Sequence, residues 1–198
     1  MNRAVFLDRD GTLLEDIDYN CKFREQEVFP FSIEALLILR RAGFLLVVTT
    51  NQSAVARGIC TMEEVKLFHR EMQNYLSGRN AHLDAFYFSP FHVAGIIPEF
   101  SRHDPSRKPA PGMLLQAAVD LEIDLDASFM VGDQAGDILA GKAAGCKTIL
   151  VLTGKGRETV SALDNLGDKP DFKAENLLQA ARLIEANCDK SRRPKKLG

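Results

Sequence analysis

The sequence predicts an α/β protein, a Rossmann-like parallel sheet with helices on both faces. Three observations carry this expectation. Short runs of β-branched and aromatic residues alternate with amphipathic runs along the whole chain, the pattern of strand-helix-strand units joined by right-handed crossovers. The strand-like runs are continuously apolar, as buried strands are. Polar side chains collect directly after them, at the carboxyl ends where open α/β sheets bind ligands. The 198 residues suit one domain, read as residues 1–187, followed by a basic tail over 188–198.

Ala4-Val5-Phe6-Leu7 reads as the first strand, and Gly11-Thr12 turns the chain away from it. Asp8 and Asp10 sit at its carboxyl end. Side chains two apart on extended chain point the same way, so both acids can serve one pocket. Residues 13–30 show no clear period and read as a loop over the sheet edge. Ser32 is placed as the cap of a helix over 33–41 that Gly43 closes. A second strand over 44–49 leads into Thr50-Asn51-Gln52-Ser53 and Arg57-Gly58. Thr61 and Glu64 form a capping box for a helix running to about residue 77. A third strand covers 84–89, and a long connection rich in Pro, His, Arg and Asp covers 90–109; connections of that length are usually functional or mobile. Pro111 opens a helix to 121. A strand over 128–131 ends in Gly132-Asp133-Gln134-Ala135-Gly136-Asp137, and a short helix closes near Gly145. A fifth strand is placed at 147–152 and a last helix at 176–186, after a turn at Lys169-Pro170. Beyond it Lys190, Arg192, Arg193, Lys195 and Lys196 have no apolar residues to anchor them and read as a solvated, disordered end.

Composition narrows the function classes. A net charge of −2 gives no global argument for nucleic acid or an anionic membrane as partner, and none is expected. The apolar runs are too short to span a bilayer and no signal segment precedes the first strand, so the chain is read as cytoplasmic. Cys21, Cys60, Cys146 and Cys188 are scattered without a Cys-x-x-Cys pair, which fits reduced, inert thiols better than a disulfide frame or a zinc knuckle. A monomer is expected.

In a parallel sheet the strand ends carrying Asp8 and Asp10, Thr50, Lys108, and Asp133 with Asp137 converge on one edge. As an ordered set, Asp8-Arg9-Asp10-Gly11-Thr12, Thr50, Lys108 and Gly132-Asp133 through Asp137 make the chain resemble the haloacid dehalogenase superfamily of phosphotransferases over residues 3–152. The resemblance makes Asp8 the nucleophile that forms an aspartyl-phosphate. It makes Asp10 the general acid to the leaving oxygen and then the general base to water. Thr50 and Lys108 are expected to bind phosphoryl oxygens, with amides near Gly11 adding donors. A phosphoryl group repels an attacking carboxylate unless its charge is offset. Hard oxygen donors suit Mg²⁺, expected on Asp8, the Asp10 main chain and Asp133, with Asp137 supporting the metal.

Neither interval between the motifs has room for a large cap domain, so loops must select the substrate. Thr50-Asn51-Gln52-Ser53 with Arg57-Gly58, and Arg107-Lys108-Pro109 with Pro111-Gly112-Met113, resemble the capless branch of D-glycero-D-manno-heptose 1,7-bisphosphate phosphatases and histidinol-phosphatases. The resemblance implies hydrolysis of a sugar bisphosphate, foremost the 7-phosphate of that heptose. Arg107 would grip the distal phosphate through its planar fork. Asp16, Asp18, Tyr19, Asn51, Gln52 and Ser53 would line the sugar side, with Arg57 and Gln134 as further binding residues. Alternatives are histidinol phosphate or another small phosphomonoester, a nucleic-acid end phosphatase, and a noncatalytic metabolite-binding homologue. Two departures stand out. The branch carries a structural zinc on Cys-x-His and Cys-x-Cys, where this chain has Ser89-Pro90-Phe91 and Asp104-Pro105-Ser106. Zinc is therefore not expected, and packing by Phe91, Ile96, Ile97 and Phe100 must hold the loop unless it is mobile. Gln134 stands where the heptose enzymes often have Lys.

Overall fold

The computed structural model describes residues 1–192. Its strands are β1 (Ala4–Leu7), β2 (Leu45–Asn51), β3 (Ala85–Ser89), β4 (Phe129–Gly132), β5 (Lys147–Val151) and β6 (Phe172–Ala174). Its helices are α1 (Ser32–Arg41), α2 (Met62–Ser77), α3 (Gly112–Asp120), α4 (Ala135–Ala144), α5 (Gly156–Leu166) and α6 (Leu177–Arg192). The strands form one sheet in the order β3-β2-β1-β4-β5-β6, every pairing parallel.

Period-two alternation of side chains splits the strand residues between two layers. Val5, Leu7, Leu46, Val48, Phe129 and Val131 face α1, α2 and α6, where Leu36, Leu39, Phe68, Met72 and Ile184 meet them. Ala4, Phe6, Val47 and Met130 face α3 and α4 through Met113, Leu114, Ala117 and Ala140. Leu163 of α5 packs on the same side, against Leu150 and Ile138. Each large side chain buried this way contributes about 1.5–3 kcal/mol. Both faces are covered, which explains why the strands read as unbroken apolar runs.

The chain winds outward from β1 to β2 and β3, then crosses back through α3 to β4 on the other flank of β1. The switch point therefore lies between β1 and β4, and ligands of such sheets bind there, outside the strand ends. The Asp8 amide donates to the Val131 carbonyl at 2.9 Å, carrying the ladder one residue past β1 and setting Asp8 beside the end of β4.

Several sequence expectations need correction. α5 and β6 were not expected. Only Val160, Leu163 and Leu166 give α5 an apolar stripe, and the three residues of β6 are too few to show a period. Ser32 lies inside α1, and its hydroxyl donates to the Leu13 carbonyl at 2.7 Å, tying helix to loop instead of capping. α6 runs to Arg192 rather than ending near 186, so it takes up the start of the segment read as tail; residues 193–198 lie outside the described residues. In the 90–109 connection Phe91 and Phe100 pack at 5.9 Å, but Ile96 is 75% exposed. Phe100 also packs on the cluster of Ala54, Val55, Cys60 and Val65, and hydrogen bonds from the Ile96 and Ile97 amides to the Ala56 carbonyl at 2.8 and 3.0 Å add to the packing. Among the described residues no helix is long and apolar enough to cross a membrane.

The cysteine expectation is also corrected. Cys21 and Cys60 form a disulfide across 39 residues of sequence. The fold lays the 13–30 loop beside the turn after β2, a proximity that spacing in sequence cannot show. Among the described side chains Cys146 is a free, buried thiol, and burial pushes it up to about 12, so it is inert as expected; the side chain of Cys188 lies outside the described residues. Closing a loop of this length removes chain entropy from the unfolded state. Cys21→Ser should lower the stability of the oxidised protein by about 2–4 kcal/mol, read as the urea midpoint. With dithiothreitol the native chain and the variant should unfold together; a native midpoint indifferent to reductant would contradict this.

Candidate active site

The strand ends supply a single buried cluster. Asp8 follows β1 and Asp133 follows β4. Thr50 lies near the end of β2, Asp137 lies in the first turn of α4, and Lys108 reaches in from the long connection. Asp8 and Lys108 are each 5% exposed, and Asp133 is fully buried. The Lys108 ammonium has three protons and three acceptors: Asp8 Oδ1 at 2.7 Å, the Thr49 carbonyl at 2.7 Å and Asp137 Oδ1 at 2.5 Å. Its main chain is fixed as firmly. Asn51 Nδ2 donates to the Lys108 carbonyl at 3.0 Å, and the Lys108 amide donates to Asn51 Oδ1 at 3.1 Å.

Burial alone would push the Lys108 ammonium down, but Asp137 and Asp8 overcome it and hold it above its ordinary value. Burial pushes the Asp8 carboxyl well up; Lys108 opposes this, while Asp137, Asp133 and Asp10 add to it. Burial, with Asp137 beside it, raises Asp133 to about 7, against the Lys155 amide hydrogen bond that favours the anion. The crowded acids thus carry more negative charge than one lysine offsets.

Asp133 is pinned from above by backbone. Gly11 (φ +77°) and Gly154 (φ +52°) lie so close that a Cβ on either would fall within its carboxylate, so both the left-handed conformation and the contact require glycine. Asp133 Oδ2 accepts from the Lys155 amide at 2.7 Å. Oδ1 is buried without a partner among the described residues. Asp8, Asp133 and Asp137 can each bring a carboxylate oxygen within 4.8 Å of the others. An orphaned buried oxygen in a set of hard donors with surplus negative charge fits a divalent cation.

A cavity of about 210 Å³ opens onto this cluster. It is lined by Asp8, Asp10, Thr50, Lys108 and Asp137, and by Asp16, Asp18, Tyr19, Asn51, Gln52, Ser53, Arg107 and Gln134. Arg57 is not among the lining residues. Its guanidinium sits 5.6 Å from the centre of the Tyr19 ring, and its Nε is buried without a partner among the described residues. Arg107 donates to the Phe91 carbonyl at 3.1 Å; burial and then Arg57 press its guanidinium below the ordinary value, so two cations share this side. Two amides expected on the sugar side are engaged by protein: Asn51 by Lys108, and Gln52 by Asp10 Oδ2 at 3.0 Å and Thr50 Oγ1 at 2.9 Å. Asp137, expected to support a metal, holds Lys108 with one oxygen and the Gln134 amide with the other at 2.9 Å. At the two places where the zinc cysteines would stand, Ser106 Oγ and Ser89 Oγ lie 3.0 Å apart, and Ser106 Oγ also donates to Asp104 Oδ1 at 2.6 Å.

Sequence reading missed Arg9 and the segment after β5. Thr153 Oγ1 donates to the Gly11 carbonyl at 2.6 Å, Gly154 covers Asp133, and Lys155 pairs with Asp16 at 2.9 Å and lines the cavity. The rule that flagged the other strand ends, polar residues directly after an apolar run, applies equally to Thr153-Gly154-Lys155.

Known proteins are similar to this chain in sequence and in fold. Residues 105–180 match the HAD-hydrolase-like family. The D-glycero-beta-D-manno-heptose-1,7-bisphosphate 7-phosphatase of Pasteurella multocida (strain Pm70) is 46% identical over 156 residues, 78% of this chain and 84% of its own. The D-glycero-D-manno-heptose-1,7-bisphosphate 7-phosphatase of Chlorobaculum tepidum is 39% identical over 184 residues, 90% of this chain and 92% of its own. The crystal structure of D,D-heptose 1,7-bisphosphate phosphatase from B. bronchiseptica, complexed with magnesium and phosphate, superposes with a TM-score of 0.81 at 30% identity, covering 93% of this chain and 99% of that one. With its ordered acids, its buried lysine and relatives matched over most of their length, this chain belongs to the haloacid dehalogenase-like hydrolases, in the family of the heptose bisphosphate 7-phosphatases.

Proposed function

We propose that this hydrolase is a Mg²⁺-dependent phosphatase that removes the 7-phosphate of D-glycero-D-manno-heptose 1,7-bisphosphate through an aspartyl-phosphate on Asp8. The observation that carries the reading is that one pocket holds the Asp8–Lys108 pair together with Arg107, giving an ester a nucleophile and a second phosphate a cationic grip. The names of the relatives support the heptose as the sugar.

In this mechanism Lys108 holds Asp8 by Oδ1, aims it into the pocket and favours its anion against the burial that raises it. Asp10 supplies the proton for the leaving oxygen and later takes one from water. Thr50 and the amides near Gly11 offer donors to the phosphoryl oxygens. Asp8, Asp133 and the Asp10 carbonyl would hold Mg²⁺, which when bound offsets negative charge on the phosphoryl group. The bonded sulfurs of Cys21 and Cys60 join the loop bearing Asp16, Asp18 and Tyr19 to the turn bearing Ser53, which keeps the sugar-side walls together without a cap. A monomer in the cytoplasm belongs to the same reading.

Phosphate release from heptose 1,7-bisphosphate in Mg²⁺ tests the reaction, and Asp8→Asn should lower it by at least about 10⁴-fold; retained turnover would exclude Asp8 as nucleophile. Arg107→Ala deletes a charged grip of about 1.5–3 kcal/mol, so kcat/KM should fall about ten- to a hundredfold for the bisphosphate and little for a sugar monophosphate. Equal losses would favour a monoester, histidinol phosphate included, as the natural substrate. Metal binding has a definite pH dependence. A carboxyl raised in the folded state holds its proton between its ordinary value and about 7 for Asp133, and Mg²⁺ must displace that proton. The rise in melting temperature caused by Mg²⁺ should therefore grow as pH increases from about 5 to 8, and Asp133→Asn should abolish it. A shift independent of pH would remove Asp133 from the metal site.

A further inference from the structure

Arg9 lies between the two acids of the first motif and is 2% exposed. Its guanidinium folds back onto its neighbour: Nε is 3.1 and 3.2 Å from the two Asp10 oxygens, and Nη2 is 2.9 Å from Oδ2. Asp10 is its carboxylate partner. The rest of the guanidinium is enclosed. Cζ sits 4.1 Å from the centre of the Phe68 ring, a cation-π contact, and Nη1 is 3.2 Å from His69 Nε2. A guanidinium has no acceptor, so His69 Nε2 accepts and the ring proton is on Nδ1. Burial and then Arg9 push His69 down to about 3, so the ring stays neutral and keeps accepting. His69 is stacked on Phe86 at 4.9 Å, which fixes its plane. α2, outside the pocket, thus supports a chain of contacts that ends on Asp10.

The two oxygens of Asp10 are held unequally. Oδ2 meets Arg9 Nε, Arg9 Nη2 and, at 3.0 Å, Gln52 Nε2; Oδ1 meets Arg9 Nε alone. The Asp10 side chain is 20% exposed and lines the cavity. We propose that Arg9, braced by His69, is a positioning residue that fixes the Asp10 carboxylate by Oδ2 and leaves Oδ1 as the oxygen that carries the proton. This rests on the role given to Asp10 above. In the first step an Asp8 oxygen bonds to phosphorus, the ester P–O bond breaks, and the proton on Asp10 Oδ1 goes to the leaving alkoxide. In the second, water oxygen bonds to phosphorus, its proton goes to Oδ1, and the bond from Asp8 to phosphorus breaks, releasing phosphate. A misaimed acid penalises only leaving groups that need a proton.

The test compares an alkyl ester, heptose 1,7-bisphosphate, with 4-nitrophenyl phosphate, whose phenolate departs unprotonated, using kcat/KM because it reports only up to the first irreversible step. Arg9→Lys keeps the charge but loses the fork. It should lower kcat/KM for the sugar ester about ten- to a hundredfold while changing that for 4-nitrophenyl phosphate by less than about threefold. His69→Phe, which leaves Nη1 without an acceptor, should show the same split more weakly, and His69→Gln, which restores an acceptor, should recover most of it. His69 variants carry the test if Arg9→Lys does not fold. Equal losses on both esters, or none on either, would overturn the role of Arg9. The unmodified chain is the control: failure to turn over either ester would instead remove the phosphatase reading.

Discussion

One buried ammonium among carboxylates governs the architecture of this site. Lys108 donates each of its protons to a different part of the fold: Asp8 after β1, the Thr49 carbonyl in β2 and Asp137 in α4. Removing a charge from water is costly unless it is paired and hydrogen-bonded, so this lysine and its acceptors stand or fall as a unit. The pairing is nevertheless incomplete. Among the described residues Lys108 and Arg9 are the buried cations, whereas Asp8, Asp10, Asp133 and Asp137 all point into the same region. Burial first and then this surplus raise the carboxyls of Asp8 and Asp133, and one Asp133 oxygen has no partner among the described residues. A site short of positive charge in its resting form is suited to receive a cation and to be selective for chemistry that brings one.

Precision in such a cluster comes from atoms that never touch the substrate. Asn51 brackets the main chain of Lys108 with both ends of its amide, so a lysine on a long irregular connection is held as if it lay in a strand. Gly11 and Gly154 press bare backbone onto Asp133, and Thr153 ties that second segment to the Gly11 carbonyl. Gln52 bridges Thr50 and Asp10, linking the end of β2 to the end of β1. Several residue types that read as substrate ligands in sequence act here on the machinery, because a buried amide seeks its partners in the protein first.

Around this rigid floor the walls are loops, and each is fastened differently. The first is joined to the turn after β2 by Cys21 and Cys60. The long connection is held by the Ala56 carbonyl, by the tilted contact of Phe91 with Phe100, and by Ser106 bonded to Ser89 and Asp104. These serines occupy the places where the resemblance would put metal-binding cysteines, and their hydrogen bonds close the same gap with neutral groups.

Much of this was legible in the residues alone. Continuous apolar runs determine buried parallel strands, and acids or hydroxyls directly after Leu7, Thr49 and Gly132 determine where the polar edge lies, because strand period and strand ends are local properties of the chain. The assembly of Asp8, Thr50, Lys108, Asp133 and Asp137 followed from that edge. Only the tertiary structure decided the remainder. β6 has three residues, half-buried Phe172, exposed Lys173 and buried Ala174, too few for a readable period. The Cys21–Cys60 bond joins loops far apart in sequence, and Arg9, flanked by two acids, looks solvated until α2 supplies Phe68 and His69 to bury it. Partners that come from different elements leave no local trace, and it is these long-range contacts, more than residue type, that separate the side chains holding substrate from those holding one another.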